Sequence, residues 1–106
     1  MKTKFLLAFA VLGLSLAAAR SYTINVDAPS QAGTLQLKPG EYKVTVEGTK
    51  VKFTAANTGK SQETTAKVEA NGKKFDATAV ETANVNGVTK INEIDLGGTT
   101  TKLKFD

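Results

Sequence analysis

On either side of Gly48-Thr49, from Glu41 to Glu47 and from Lys50 to Ala55, apolar and polar residues trade places at every step, and this two-residue period limits the possible folds more than any other feature of the chain. Tyr42, Val44 and Val46 alternate with Lys43, Thr45 and Glu47, and beyond Gly48-Thr49 the residues Val51, Phe53 and Ala55 alternate with Lys50, Lys52 and Thr54. A helix would scatter these side chains around its circumference, whereas a strand lines them along one face. Two such runs joined by a two-residue loop with glycine first predict a β-hairpin closed by a type II′ turn. Its register sets Val46 opposite Val51, Val44 opposite Phe53 and Tyr42 opposite Ala55, with Glu47 beside Lys50 on the wet face.

The same period recurs on either side. Ser21–Asp27 reads as a strand and Ala28–Gly33 as the loop that ends it. Thr34–Lys38 resumes with Leu35 and Leu37. Pro39-Gly40 favours a type II turn, whose twist suits a tight hairpin poorly, so a looser connection or a change of sheet is expected there. Asn57–Ser61 is a polar loop with nothing to bury. Ala66, Val68 and Ala70 then lead to Asn71-Gly72, a strong hairpin signal, which predicts Val68 opposite Phe75, Ala66 opposite Ala77, Glu69 opposite Lys74 and Lys67 opposite Asp76.

Val80–Asn84 and Val88–Ile91 flank a second Asn-Gly, Asn86-Gly87, and predict another hairpin. The apolar parity slips between Ile91 and Ile94, which points to a β-bulge near Asn92-Glu93. Gly97-Gly98 turns the chain into Thr99–Asp106, with Leu96 opposite Thr99, Ile94 opposite Thr101 and Glu93 opposite Lys102. Leu103 and Phe105 close the core. Beyond the N-terminal leader no segment carries helical spacing. The chain therefore reads as all-β, a small antiparallel β-sandwich of about eight strands joined by tight hairpins, with a small closed β-barrel as the alternative. KVTVEGTKVKF and KVEANGKKF look alike, but any lysine-bearing amphipathic hairpin reads this way.

The first 19 residues have a different character. Lys2 and Lys4 precede the apolar run Phe5–Ala19, which ends in Ala17-Ala18-Ala19, the pattern of a secretory signal peptide cut after Ala19. The run falls short of the roughly 20 residues a membrane-spanning helix requires. Residues 20–106 then form a single β-domain, periplasmic or secreted. With no cysteine in the chain, its stability comes from apolar burial and not from disulfides. Without Lys2 and Lys4, the 14 basic residues become 12 against 10 acidic ones, a net charge of +2. A balance so close to neutral gives little reason to expect nucleic acid or an acidic membrane as target.

Histidine and cysteine are both absent, which removes Ser-His and Cys-His nucleophiles and the usual zinc ligands. No glycine pattern matches a phosphate-cradling loop. Carboxylates remain: Asp27, Asp76, Glu81, Glu93 and Asp95 are the candidates for a catalytic pair, with Asp76, Glu93 and Asp95 assigned to wet faces. Asn84-Val85-Asn86-Gly87 imitates the end of a calcium loop without carboxylates beside it, and reads as a turn. Tyr22, Tyr42, Phe53, Phe75 and Phe105 all fall on the core side, which leaves no stacking platform for sugars or bases. Lys43, Lys50, Lys52, Lys67, Lys74, Lys102 and Lys104 read as solubilising, edge-protecting residues. No catalytic, cofactor-binding or metal-ligating residue is assigned.

The run from Leu37 to Gly48, LKPGEYKVTVEG, resembles the Leu-x-Pro-Gly-x-Tyr-x-Val-x-Val signature of carboxypeptidase-regulatory-like and Cna-B-type β-sandwich domains. Over most of residues 20–106, the order of AGTLQLKPGEYKVTVEG, a lysine-rich strand and NEIDLGGTTTKLKFD is similar to small uncharacterised secreted proteins of environmental bacteria, notably acidobacteria. That resemblance implies export and a compact β-domain and carries over no functional residues.

Three functions follow in order. The first is a non-enzymatic binding or structural module of the cell envelope or extracellular space, acting through an exposed sheet edge or loop surface. Its partner is an unidentified protein or envelope component, with no nucleic acid, and it meets the membrane only through the cleaved leader. The second is a small carrier holding an apolar ligand in a barrel lined by Ala66, Ala70, Ala77 and Ala79. The third is a hydrolase with a carboxylate pair.

Overall fold

The alternating run becomes the middle of a sheet. Residues 20–105 are described by the structure, a computed structural model, so the signal peptide expected over residues 1–19 lies outside the described residues. They form ten strands: β1 (Arg20–Val26), β2 (Ser30–Ala32), β3 (Leu35–Leu37), β4 (Gly40–Glu47), β5 (Lys50–Ala55), β6 (Ser61–Thr65), β7 (Lys67–Ala70), β8 (Ala79–Val85), β9 (Val88–Asp95) and β10 (Thr101–Lys104). There is no helix among the described residues. One sheet has four antiparallel strands in the order β1-β4-β5-β6. The other runs β3-β2-β9-β10-β7, with β8 also on β9. β8 takes one edge of β9 along its length, while the opposite edge is shared by β2, parallel at Thr89 and Lys90, and β10, antiparallel at residues 93–95. Among the described residues both sheets end in open edges, so the fold is a two-sheet sandwich and not a closed barrel.

The central hairpin forms in the register that alternation predicts: Val46 meets Val51, Val44 meets Phe53, Tyr42 meets Ala55 and Glu47 meets Lys50. Gly48 has φ +64° and Thr49 keeps a negative φ, as a type II′ turn requires. Pro39-Gly40 does change the sheet, delivering β3 of the second sheet to β4 of the first. Tyr42, a buried residue, braces that crossing, its hydroxyl donating to the Lys38 carbonyl at 2.7 Å. Tyr42→Phe keeps the ring and removes this bond, so it is expected to cost about 1 kcal/mol in urea unfolding with an unchanged slope.

Asn86-Gly87 closes its hairpin with φ +53° and +83°, a type I′ turn, and Asn84 Oδ1 accepts from the Gly87 N–H at 3.1 Å. Beyond Thr82 opposite Ile91 the next partners are Glu81 and Glu93, which leaves Asn92 as the extra residue of the expected bulge. The carbonyl of Asn92 is used by the Phe105 N–H at 2.9 Å.

Four expectations are corrected. Ser30–Ala32, predicted as loop, is β2, because Ser30 and Ala32 are buried and the segment gains ladder partners on both sides. Ser61–Thr65, whose first residue falls in the predicted polar loop, is β6, held by β5 despite having no apolar face. The Asn71-Gly72 hairpin does not form. Neither residue takes a positive φ, and β7 pairs instead with β10, setting Lys67, Glu69 and Val68 opposite Lys104, Lys102 and Leu103. The Gly97-Gly98 loop is two residues longer than predicted. The Thr99 N–H and hydroxyl both bond the Leu96 carbonyl and the Leu96 N–H bonds the Thr101 carbonyl, so Glu93 faces Lys104 and Asp95 faces Lys102.

The core lies between the sheets. Ile24, Val26, Tyr42, Val44, Val51 and Phe53 come from the first sheet, meeting Ala32, Leu37, Ile91, Ile94 and Leu103 from the second. The Phe53 ring centroid lies 6.4 Å from that of Tyr42 and 6.1 Å from that of Phe105. Of the five aromatics assigned to the core, Tyr42, Phe53 and Phe105 are buried, whereas Tyr22 and Phe75 are half-buried.

Candidate functional site

The bulge at Asn92 sets which side chains of β9 share a face. Ile91 lies inward before it and Ile94 inward after it, so Glu93 and Asp95 project from the outer face of the second sheet. Pairing then builds two rows across that face. One runs Glu81, Glu93, Lys104, Lys67 and the next runs Ala79, Asp95, Lys102, Glu69. The first row sets two like charges directly opposite each other twice, an arrangement that works against the sheet.

Of the five carboxylates picked out by sequence, the structure gathers three. Glu81, Glu93 and Asp95 each offer an oxygen within 4.8 Å of the others, while Asp27 and Asp76 are exposed and outside this group. Asp76 has lost its expected partner, since Lys67 pairs with Lys104. Asp95 departs most from its expected wet face. It is only 8 % exposed, and its Oδ1 has no hydrogen-bond partner among the described residues. The meeting of Glu81 and Glu93 can be found by counting back from Asn86-Gly87 and allowing one bulged residue, but the burial of Asp95 leaves no mark in the local sequence.

The Glu93 carboxyl is raised above its ordinary value, first by its hydrogen bond with Asp95, then by desolvation and the Asp95 charge, with Lys102 and Lys104 pulling the other way. A carboxyl that holds its proton more tightly when folded stabilises the fold below its ordinary pKa. That stability fades as the pH rises through the raised folded value. In buffer free of divalent ions, Glu93→Gln is therefore expected to be more stable than the parent near neutral pH. Glu81 on β8, Asp95 on β9 and the two lysines on β10 are the charged groups facing it. Urea unfolding below about pH 4 should show that difference gone, and an equal difference at both pH values would contradict the cause given.

A second feature belongs to the same hairpin. β8 is a seven-residue strand, AVETANV, hydrogen-bonded on one side only among the described residues. Val85 and Val88 flank a two-residue turn and so form a hydrogen-bonded pair, which directs the N–H groups of Val85 and Ala83 to β9 and those of Asn84 and Thr82 outward. β8 contains no lysine or proline, the residues that usually guard a sheet edge. Val85 and Val88 are exposed at its tip.

The clefts are open and mixed in character. A groove of about 370 Å³ runs past Lys38, Pro39, Glu41, Tyr42, Asn57 and Lys60, and one of about 230 Å³ opens between the sheets near Asp27, Ser30, Val80 and Ile91. Ala70, Ala77 and Ala79, the expected lining of an apolar ligand chamber, are exposed, and only Ala66 of that set is buried. No protein-family model, curated protein or solved structure matches the chain.

Proposed function

We propose that this chain is an exported, non-enzymatic β-sandwich that serves as a binding module of the cell envelope or extracellular space, and that it takes up an extended segment of a partner protein along β8. The observation that carries this reading is the open edge of β8, seven residues long, with unpaired outward amides and no lysine or proline. Extended peptides add to such edges through main-chain bonds, which supply affinity, while side-chain contacts supply choice of partner. Val85 and Val88 offer an apolar contact at one end of the strand. Export rests on Lys2, Lys4, the apolar run that follows and the resemblance to small secreted β-domain proteins.

Thr82→Pro tests the edge directly, because it removes an outward N–H and spends no bond to β9. Tagged residues 20–106 and the variant, used as bait on the envelope fraction of the source cells, should differ: the parent enriches a protein that Thr82→Pro does not. Enrichment of nothing by the parent, or of the same protein equally by both, would count against docking at β8.

A further inference from the structure

We infer that Glu81, Glu93 and Asp95 form a binding site for a divalent cation of the calcium type on the outer face of β8 and β9. The three carboxylates offer oxygens that all lie within 4.8 Å of one another. Calcium holds its oxygens at about 2.3–2.6 Å, so two oxygens across one ion stand about 4.6–5.2 Å apart and adjacent ones closer. Three oxygens no more than 4.8 Å apart share a point at most about 2.8 Å from each, so side-chain shifts of a few tenths of an ångström bring all three onto one ion without rearrangement of the strands.

A second observation points the same way. Asp95 is 8 % exposed, and its Oδ1 has no hydrogen-bond partner among the described residues. A carboxyl oxygen withdrawn from water without a partner is costly, and structures seldom keep one without a use for it. Its cross-strand neighbour Lys102 makes no bond to that oxygen. The register adds to this cost by setting Glu81 directly opposite Glu93. A cation among the three turns that repulsion into coordination and gives the Asp95 carboxyl a positive partner.

The donor set selects the ion. With no histidine or cysteine in the chain, every side-chain ligand here is a carboxylate oxygen, which suits hard cations over zinc or copper. Magnesium usually keeps most of its water and takes one or two carboxylates, so three converging ones favour calcium. Glu81 is exposed, which leaves that side open for water to complete the coordination shell. Lys102 and Lys104, one register step away, lower the affinity toward the range of extracellular modules, about 10⁻⁴–10⁻³ M.

The site is independent of peptide docking, since calcium binding without a captured partner would retain it and remove only that reading. The test is titration of calcium chloride into the purified protein at constant ionic strength, followed by calorimetry and backbone amide NMR. One saturable equivalent is expected, with the largest amide shifts around Glu81, Glu93 and Asp95. Because affinity follows ligand charge, binding should weaken at least about tenfold in Asp95→Asn and in Glu81→Gln. Glu81 is exposed, so its variant puts no core packing at risk. No saturable binding by about 10 mM calcium, an order above the weak end of that range, would overturn the site. Binding unchanged in Glu81→Gln would overturn it equally, and magnesium bound more tightly than calcium would overturn the assignment of the ion.

Discussion

Phe53→Ala is expected to cost about 3–5 kcal/mol, a large share of the 5–15 kcal/mol that holds a domain of this kind together. Phe53 is fully buried on β5, a strand hydrogen-bonded on both sides, and its ring lies against Tyr42 within its own sheet and Phe105 at the end of the other. Truncation removes buried apolar surface and two aromatic contacts worth about 0.5–1.5 kcal/mol each, and leaves a cavity that two hydrogen-bonded sheets cannot readily collapse. Thermal unfolding should fall by more than about 10 °C. A loss below about 1 kcal/mol would mean that the sheets do not close on this ring.

Gly97→Ala comes next, for a different reason. The residue does not need glycine for its backbone angles, since its φ is not positive. It needs glycine for space. A Cβ placed there would stand 2.6 Å from the Thr78 nitrogen and 2.7 Å from the Ala77 carbonyl carbon, both backbone atoms. They cannot swing aside as a side-chain end would, and the same approach is fixed by the bond from the Gly97 N–H to Thr78 Oγ1 at 3.0 Å. Forcing the two segments apart should cost about 2–3 kcal/mol. Gly72 supplies the control. It has ordinary φ and open space around its missing Cβ, so Gly72→Ala should change stability by less than about 0.5 kcal/mol. Equal effects at the two glycines would contradict the close approach.

The difference between these glycines also marks how far sequence reasoning reaches. Where two neighbouring runs and the turn between them agree, as at Gly48-Thr49 and Asn86-Gly87, the register can be read from local pattern, and so can the bulge at Asn92. Asn71-Gly72 carries the same turn signal but loses to a distant strand. β10 brings fully buried Leu103 beside β7, and the N–H and carbonyl of Phe75 bond instead to Thr99 and Gly98. The polar strand β6 was hidden because its order comes from the ladder with β5 and not from a face of its own. The candidate site divides in the same way. Glu81, Glu93 and Asp95 were all visible as carboxylates, and counting through the bulge brings the first two together. The burial of Asp95 arises only once the strands are assembled, which is why its orphaned oxygen could not be foreseen.

Amide hydrogen exchange along β8, resolved residue by residue in the free protein, tests the open edge most directly. Ala83 and Val85, bonded to β9, should exchange slowly, while Thr82 and Asn84, which alternate with them, exchange at nearly the rate of open chain. Slow exchange at all four would mean that the outer side of β8 is already paired, and with it the docking edge would be lost.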